Sequence, residues 1–476
     1  MTRALRLLLV TLVAVAAVVL QPAGASAAER TVTYTVSTRG AVSGDLGHFT
    51  DVARDALTDP RGWSLGGTVA FQQVASGSDF DLILASPSVI AAASPGCSAQ
   101  WSCRVGRSVY INDERWRFGT ASWPYGIDTY QRYVINHEVG HWVGIGHTDC
   151  PSAGRTAWVM QQQSISLQGC RANVWPVIAE REQAGRLLGV SVIWSGVESR
   201  YRAMGQGGSL LGLPVTWEHV APDQVGRYQH YSRPDGGSIY WTPSTGAHEI
   251  YGQIWQRWAQ LGWERGPLGY PVTGELGTPD GHGRFNHFSR PGGASIYSTL
   301  ATGTHEIYGA IRARWAAMGW ERSPLGYPVT GELGTPDGQG RFNHFSRPGG
   351  ASIYWTAQTG AQDIYGAIRA RWAALGWERS PLGYPVTGEL GTPDGQGRFN
   401  HFSRPGGASI YWTASTGAHE IYGPIRTAWA DSGWERGPLG YPTSGVQSVE
   451  GGSRVDFQRG SITLVDATGE TEVVLD

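Results

Sequence analysis

Residues 137–147 read His-Glu-Val-Gly-His-Trp-Val-Gly-Ile-Gly-His, and this stretch sets both a local fold and a chemistry. On a helix, His137 and His141 lie one turn apart, so both imidazoles leave the same face and can share one tetrahedral metal ion. Glu138 lies beside them, with the reach to activate a water molecule without being a ligand itself. The pattern predicts a zinc-dependent hydrolase; the alternative is a helix whose polar residues only pair at its surface.

The second half of the stretch extends the predicted site. Gly144 can take a backbone angle that ends the helix and turns the chain back, which brings His147 to the same metal. Three His ligands leave the fourth position open for water and for a substrate carbonyl. We choose zinc for this geometry, although three imidazoles would also accept other divalent ions.

The motif resembles that of the metzincin metalloproteases, in which a methionine lies on a tight turn beneath the zinc. Met160, within Thr-Ala-Trp-Val-Met-Gln at 156–161, matches that methionine, and the alternative is an ordinary core residue. Some members carry a Tyr two residues later, where this chain has Gln162, so no Tyr ligand is expected. The resemblance covers residues 28–190 and implies an α+β domain with a mixed sheet and a zinc helix.

The periodicity of the chain around the motif predicts the elements of this domain. Alternation and helical spacing place strands at 31–37, 79–85 and 107–112, and helices at 46–57, 129–143 and 176–188. We expect the strand at 107–112 to form the sheet edge, where an extended peptide would add as an antiparallel strand. The helix at 176–188 is expected to carry Pro176 in its first turn.

The N-terminus predicts export. Arg3 and Arg6 precede an apolar run at 7–20, and Ala-Ser-Ala at 25–27 is typical of a cleavage site, so residues 1–27 are predicted to be a signal peptide. The apolar run is shorter than the roughly 20 residues that span a bilayer. We therefore expect a secreted, extracellular protein without a transmembrane segment.

The four cysteines of an exported chain are expected to form disulfides, and three pairings are possible. Proximity in sequence favours Cys97 with Cys103 and Cys150 with Cys170. The second pair would close a loop that contains Met160 and brace the floor of the metal site. The alternative is that one cysteine blocks or binds the zinc.

The C-terminal half is repetitive. The tetrapeptide Leu-Gly-[Leu/Tyr]-Pro recurs every 57 residues, and its leucines are Leu211, Leu268, Leu325, Leu382 and Leu439. Each unit is predicted to contain a helix such as 311–318, a glycine stop at Gly319, the tetrapeptide turn, and a loop. A two-stranded hairpin, such as 340–345 with 350–356, is predicted to follow.

These units resemble the LGFP repeats of actinobacterial envelope proteins, which implies attachment to the cell wall by residues 191–476. The first unit begins with its helix at 197–204, and the last is predicted to stop after a hairpin at 454–464. A closed, propeller-like ring would use both ends, and we favour it over an open array with divergent caps.

Some repeated side chains are candidates for binding a wall polymer. The polar and aromatic groups suited to sugars in one unit are His344, Arg347, Tyr354 and Trp355. Repeated aromatic residues are also typical of a core, which is the interpretation that we favour for Trp315, Trp372 and the tetrapeptide tyrosines. The second unit has Ser298 in place of the hairpin tryptophan. The aspartates Asp280, Asp337 and Asp394 are expected to be turn residues, with calcium binding as the alternative.

Two hypotheses remain open at this point. The first is a secreted zinc endopeptidase, held at the envelope by its repeats, that acts on peptide or protein substrates. The second is a wall-binding structural protein with an inactive metzincin-like domain, and a cell-wall peptide hydrolase lies between the two. The formal net charge of −2 gives no basic field for nucleic acid, and we expect a monomer.

Overall fold

The computed structural model describes residues 27–476, so the predicted signal peptide lies outside the described residues except for Ala27. The chain forms two compact units. The first comprises the residues up to Asp149, Trp158–Leu167 and Val174–Ile193; the second comprises Cys150–Ala157, Gln168–Asn173 and Trp194–Asp476. The predicted boundary after residue 190 lies close to the main division, but two short segments on either side of 158–167 group with the second unit. No helix within residues 27–476 is long and apolar enough to cross a membrane.

The first unit is a mixed sheet with helices. Its elements in chain order are β1 Arg30–Arg39, α1 Leu46–Thr58, β2 Val69–Gln73, β3 Phe80–Ala85, α2 Pro87–Ala93, β4 Cys103–Val105, β5 Ser108–Asn112, α3 Asp113–Phe118, α4 Ile127–Val143 and α5 Ile178–Leu188. The strand order is β2-β1-β3-β5-β4. The strands β2, β1, β3 and β5 run parallel, and β4 pairs antiparallel with β5.

The prediction that 107–112 forms the sheet edge is wrong. Strand β5 lies between β3 and β4, and its residues Val109 to Asn112 are buried. The edge strand is β4, which pairs Cys103 with Tyr110 across a tight hairpin. A three-residue strand carries too little alternation to be recognised from the sequence, whereas the buried strand beside it is obvious.

The helix α4 carries the His-Glu motif and is buried along most of its length. It begins at Ile127, two residues earlier than predicted, and ends at Gly144, whose φ of 107° is the left-handed angle expected there. The following helix, α5, begins at Ile178, not at Pro176. The carboxylate of Glu180 accepts a hydrogen bond from the backbone N–H of Val177 at 2.8 Å and so caps the helix at that residue.

The second unit contains five four-stranded antiparallel sheets, each preceded by a helix. The helices are α6 Gly196–Ala203, α7 Gly252–Gln260, α8 Gly309–Met318, α9 Gly366–Ala374 and α10 Gly423–Asp431. The strands are β6 His219–Val220, β7 Arg227–His230, β8 Gly237–Thr242, β9 Gly246–Tyr251; β10 Leu276–Gly277, β11 Gly283–Phe288, β12 Ala294–Thr299, β13 Gly303–Tyr308; β14 Leu333–Gly334, β15 Gly340–Phe345, β16 Ala351–Thr356, β17 Gly360–Tyr365; β18 Leu390–Gly391, β19 Gly397–Phe402, β20 Ala408–Thr413, β21 Gly417–Tyr422; β22 Gln447–Val449, β23 Gly452–Phe457, β24 Gly460–Val465 and β25 Thr471–Leu475.

The five repeats are confirmed, but each repeat contains four strands and not the two that were predicted. The expected hairpin is the centre of a four-stranded sheet, flanked by a short strand before it and a third long strand after it. The chain likewise continues past the last hairpin into β25. The extra long strands have mixed polarity, with a partly exposed first half and a buried end, so they show no clean alternation. The closed ring stays a prediction.

The repeated tryptophans of the helices form the cores of the units. The buried members are Trp258, Trp315, Trp372 and Trp429, each with 0% of its surface exposed. The indole N–H of Trp315 donates to the carbonyl of Gly326 in the tetrapeptide at 3.1 Å, which ties the helix to the turn. The core role favoured from the sequence is confirmed for Trp315, Trp372 and the tetrapeptide tyrosines, of which Tyr384 is 8% exposed.

Consecutive units are joined through the aspartate loops. The Oδ1 atom of Asp337 accepts hydrogen bonds from the backbone N–H of Gln339 and the hydroxyl of Thr335, as a turn residue does. The same atom accepts a hydrogen bond from the hydroxyl of Tyr384 in the next tetrapeptide at 2.6 Å. Asp223, Asp280 and Asp394 repeat this contact with Tyr270, Tyr327 and Tyr441. The aspartates therefore connect neighbouring repeats, a role that the sequence analysis missed.

We expect Tyr384→Phe to lower the free energy of unfolding by about 1 kcal/mol, the usual net value of one hydrogen bond, or somewhat more because the acceptor is charged. The phenyl ring keeps the packing, so the loss isolates the contacts of the hydroxyl, which are to Asp337 and to the Oγ1 atom of Thr335 at 2.9 Å. Urea unfolding monitored by tryptophan fluorescence measures it. The matched control is Tyr125→Phe, at an exposed tyrosine of the first unit. Equal stability of both variants would contradict a joining role for the hydroxyl.

Candidate metal centre

Three histidines converge at the C-terminal end of α4. His137 and His141 leave one face of the helix, and their ring centroids are 4.8 Å apart. His147 follows the turn at Gly144, and its Nε2 lies 3.0 Å from Nε2 of His141. One ligand atom from each of the three lies within 4.8 Å of the other two. The triad is the one such group of His, Cys, Asp or Glu found within residues 27–476.

Backbone carbonyls fix the orientation of the two helical histidines. The Nδ1 atom of His137 lies 2.8 Å from the carbonyl oxygen of Val159, and Nδ1 of His141 lies 2.9 Å from that of Ile145. A carbonyl only accepts, so each Nδ1 carries the proton and each Nε2 lone pair is left for a metal. Burial lowers the pKa of His137 to about 3 and that of His141 to about 4, which keeps both rings neutral at physiological pH.

The acidic residue of the motif faces the same space. Glu138 is 5% exposed and lines the cleft together with the three histidines. Burial raises the pKa of Glu138 to about 8, and the nearby positive charge of Arg104 opposes this shift. A buried carboxyl group whose pKa is raised toward neutral pH, beside three histidines, is suited to accept a proton as a general base.

The methionine predicted to underlie the site is buried beneath α4. Met160 is 0% exposed. Its Sδ and the indole of Trp63 lie so close to Gly140 that a Cβ atom there would meet both, with Cζ2 of Trp63 at 2.8 Å. The small residue between the two helical ligands therefore lets α4 lie directly on Met160 and Trp63.

We expect Gly140→Ala to lower the free energy of unfolding by about 1–3 kcal/mol, the usual cost of inserting a methyl group into a packed interior. The added methyl must push Met160 and Trp63 aside, which overrides the higher helix propensity of alanine. Thermal unfolding measures the effect. Gly96→Ala is the control because its Cβ would meet nothing within 4 Å. An unchanged melting temperature for Gly140→Ala would contradict the close packing.

A buried carboxylate holds the turn that carries Met160. Glu180 of α5 is 0% exposed. Its Oε1 accepts from the backbone N–H of Met160 at 2.8 Å, and Oε2 accepts from that of Val159 at 3.1 Å. Burial raises the pKa of Glu180 to about 7, although the N–H donors favour its charged form. Since the carbonyl of the same Val159 orients His137, Glu180 is linked to the His triad through one residue.

A cleft of about 490 Å³ opens over the triad. Its walls come from the loop closed by Cys97 and Cys103, the edge strand β4, the helix α4 and the chain after Met160. The lining residues besides the triad and Glu138 are Gly96, Cys97, Ser98, Trp101, Ser102, Cys103, Arg104, Tyr133, Val134, Gln162, Ser164 and Ile165. Gln162 therefore faces the site at the position where some metzincins carry a Tyr.

Two residues of the cleft were missed by the sequence analysis. Arg104 lies on the edge strand and donates to the carbonyl of His141 at 2.8 Å, at the negative end of α4. Tyr133 lies one turn before His137, and its hydroxyl donates to the carbonyl of Gln161 and accepts from the N–H of Gln163, both at 2.9 Å. The helical spacing of Tyr133 is visible in the sequence, but nothing there shows the strand of Arg104.

Both predicted disulfides are confirmed. The structure joins Cys97 to Cys103 and Cys150 to Cys170. No described cysteine is free to act as a zinc ligand or a blocking thiol. The first disulfide closes the loop that walls the cleft, and the second closes the loop that contains Met160.

The wall-binding candidates of the repeats differ in accessibility. Tyr354 is 4% exposed and stacks on Phe342 within the core, so its ring offers no face to a sugar. His344 bonds the hydroxyl of Ser352 through Nδ1 at 2.7 Å. Arg347 donates to the carbonyl of Pro324, with its guanidinium over a tyrosine ring. Trp355 is partly buried. His344, Arg347 and Trp355 stay predictions, whereas Tyr354 is a core residue.

Comparisons with known proteins cover the two halves of the chain separately. A family described as "Protein of unknown function (DUF3152)" matches residues 15–178. The LGFP repeat family matches residues 211–266, 268–323, 325–380 and 382–437, which points to association with the cell envelope. No curated protein matches.

Solved structures show only distant likeness. Archaemetzincin from Methanopyrus kandleri is 15% identical, with 33% of this chain and 96% of that chain covered and a TM-score of 0.24. A putative 6-phosphogluconolactonase from Bacteroides uniformis is 11% identical, with 55% of this chain and 70% of that chain covered and a TM-score of 0.11. These scores are too low to define a fold relationship. The chain thus combines a mixed helix-and-sheet unit bearing a His triad with a unit of LGFP repeats.

Proposed function

We propose that the protein is a secreted zinc-dependent endopeptidase held at the cell envelope by its repeats. The observation that carries this proposal is the convergence of His137, His141 and His147 in a cleft that also holds buried Glu138. Three neutral imidazoles with an open fourth position are typical of a catalytic zinc site and not of a closed structural one.

The donor set suits zinc. Two imidazoles have Nδ1 bonded to backbone carbonyls, so their Nε2 atoms can coordinate without rearrangement, and Nε2 of His147 lies beside them. A zinc ion bound there would supply a Lewis acid that acidifies water and polarises the scissile carbonyl. Because His137, His141 and His147 are all neutral, the bound ion would keep its full positive charge for that task.

The residues of this chain supply the remaining steps. The carboxylate of Glu138 takes a proton from the attacking water and delivers it to the nitrogen of the leaving amine. Strand β4 is at the edge of the sheet and lines the cleft, so an extended peptide can add to its outer side as another strand. Such main-chain recognition fits an endopeptidase, since it places an internal peptide bond and not a chain end over the triad.

The repeats account for location in this proposal. Five similar units on one chain give avidity for a repetitive polymer even when each contact is weak. The signal peptide predicted at residues 1–27 supports a location outside the cell, and the matched LGFP family suggests the wall as the attachment site. We propose a cell-wall polysaccharide or a related envelope polymer as the partner of the repeats.

Zinc content tests the metal site directly. We expect the mature protein to hold one zinc ion per chain by elemental mass spectrometry, and His137→Ala and His147→Ala to hold none. His48→Ala is the matched control, because this histidine lies on α1 and bonds Gln131 away from the triad. Zinc retained at full stoichiometry by both triad variants would overturn the assignment of the ligands.

A further inference from the structure

The second repeat departs from the others at the centre of its sheet. Ser298 on β12 occupies the position that tryptophan holds in three other units, namely Trp241, Trp355 and Trp412. The hydroxyl of Ser298 lies 2.7 Å from that of Thr304 on the neighbouring strand, and the two residues are paired in the sheet. Those three units pair tryptophan with alanine at this point, as in Trp355 with Ala361. A bulky apolar pair is therefore replaced by a small hydroxyl pair.

The missing indole leaves space over the helix of the same unit. In the first repeat the ring of Trp241 lies against Gly196, where an added Cβ would meet its Cγ at 2.7 Å. The equivalent of Gly196 in the second repeat is Gln253. Ser298 and Gln253 both line a cleft of about 1140 Å³ and also a smaller adjoining one of about 360 Å³. Ser298 thus lies where the two spaces meet, at the place where three other units carry an indole.

The helix α7, which lines this cleft, also carries polar residues where the next two helices carry small apolar ones. On α7, Gln253, Gln256 and Gln260 line the cleft. The corresponding positions of the next two helices are all alanine, at Ala310, Ala313, Ala317, Ala367, Ala370 and Ala374. His282, in the loop before β11, also lines the cleft where the next two units have glutamine. Departures at separate points of the sequence therefore meet around one space.

The charges of the cleft are already neutralised by the protein. Arg257 donates to both carboxylate oxygens of Glu306, at 2.7 and 2.9 Å. Arg284 is bonded to Glu275 and to the hydroxyl of Tyr251 at 2.8 Å. None of the described side chains that line the cleft is acidic. The uncharged groups of the cleft are amides, hydroxyls and imidazoles, which suit a compound rich in hydroxyl groups. The amides of Gln256 and Gln260 each make one hydrogen bond within the protein and keep a further donor and acceptor.

We propose that this cleft, bounded by α7, β12 and the loop at 281–283, binds an uncharged oligosaccharide segment of the envelope polymer. Glutamine amides each offer a donor and an acceptor, which matches pairs of neighbouring sugar hydroxyls. The proposal rests on the proposed attachment for the source of the ligand, and it makes the second repeat the specific binding unit. The other repeats then add only weak contacts, which strengthen binding by avidity.

The internal repeats provide a conservative test. The triple variant Ser298→Trp, Thr304→Ala, Gln253→Ala gives the second repeat the residues that the third repeat carries at Trp355, Ala361 and Ala310, so its folding is expected to persist. The control is the double variant Gln339→Ala, Gln358→Ala of the third repeat, at two exposed side chains that do not line the cleft. Two probes are used with the full mature chain: sedimentation with protein-free cell-wall sacculi, and calorimetry with uncharged oligosaccharides released from those sacculi by glycosidase digestion.

We expect the second-repeat variant to bind both probes at least about tenfold more weakly, with circular dichroism unchanged, and the third-repeat control to bind as the unaltered protein does. Unaltered protein that sediments with sacculi while the second-repeat variant binds equally well would overturn this site and leave the attachment intact. Equal losses in both variants would also overturn it. Failure of the unaltered protein to bind either probe would overturn both the attachment and the site.

Discussion

Glu138→Gln is expected to abolish peptide hydrolysis almost completely, with a fall in kcat/KM of about 10²–10⁴, the usual contribution of a general base. Glutamine has nearly the same shape but no proton-accepting carboxylate, so the attacking water loses the group that activates it. Glu138 is buried in the cleft. Burial raises its pKa, and the positive charge of Arg104 opposes this rise. We see no other described carboxylate lining this cleft that would replace it.

Zinc content distinguishes loss of the general base from loss of the metal-binding site. Zinc content should be unchanged in Glu138→Gln, because the three imidazoles and their carbonyl partners are untouched. Glu114→Gln is the matched control, since this residue lies on α3 with an exposed side chain paired to Arg115. Peptide hydrolysis by Glu138→Gln within a factor of a few of that by the unaltered protein would contradict the proposed role.

The second large effect, on stability and on zinc affinity, is expected at Glu180, which bonds none of the three histidines. Glu180→Ala removes the acceptor of three backbone N–H groups, those of Val159, Met160 and Val177, and leaves a cavity beneath the turn. Each buried donor left unpaired costs about 1–3 kcal/mol, so we expect at least about 3 kcal/mol less stability in urea unfolding. Because Val159 orients His137, zinc affinity should also fall by about 10–100-fold, the usual effect of removing a group that holds a metal ligand in position.

Zinc affinity distinguishes this positioning role from a general loss of stability. The zinc affinity is measured by competition with a chelator, without urea and at a temperature where the variant remains folded. Arg186→Ala is the control on the same helix, and its exposed side chain should contribute less than about 0.5 kcal/mol. Wild-type zinc affinity in Glu180→Ala would show that the turn is held by packing alone.

The parts of the site that lie close together in sequence were predictable. The spacing of His137, His141 and His147 specifies a helix and a turn, and the left-handed angle at Gly144 follows from the need to reverse the chain. Both disulfides followed from proximity in sequence. Glu180 was not predictable, because its role depends on a fold that brings α5 back to the turn at Met160 and its local sequence is that of an ordinary helix.

The fold shows the same division between local and distant information. The 57-residue period and the buried tryptophans could be read from one unit to the next. The edge strand β4 has only three residues, and the last long strand of each sheet lacks alternation, so both emerge only from pairing with neighbours. Ser298 was visible as an irregularity of the repeat, but its pairing with Thr304 and the cleft beside it required the structure.

Zinc-dependent endopeptidase activity is tested by incubating a mixed peptide library with the mature protein, with Glu138→Gln and with a chelated sample, and by reading the products by mass spectrometry. We expect internal cuts that disappear in both controls and return when zinc is added back to the chelated protein. The absence of cuts in protein confirmed to hold zinc, with wall peptides included in the library, would contradict an endopeptidase and favour a wall-binding protein with an inactive site.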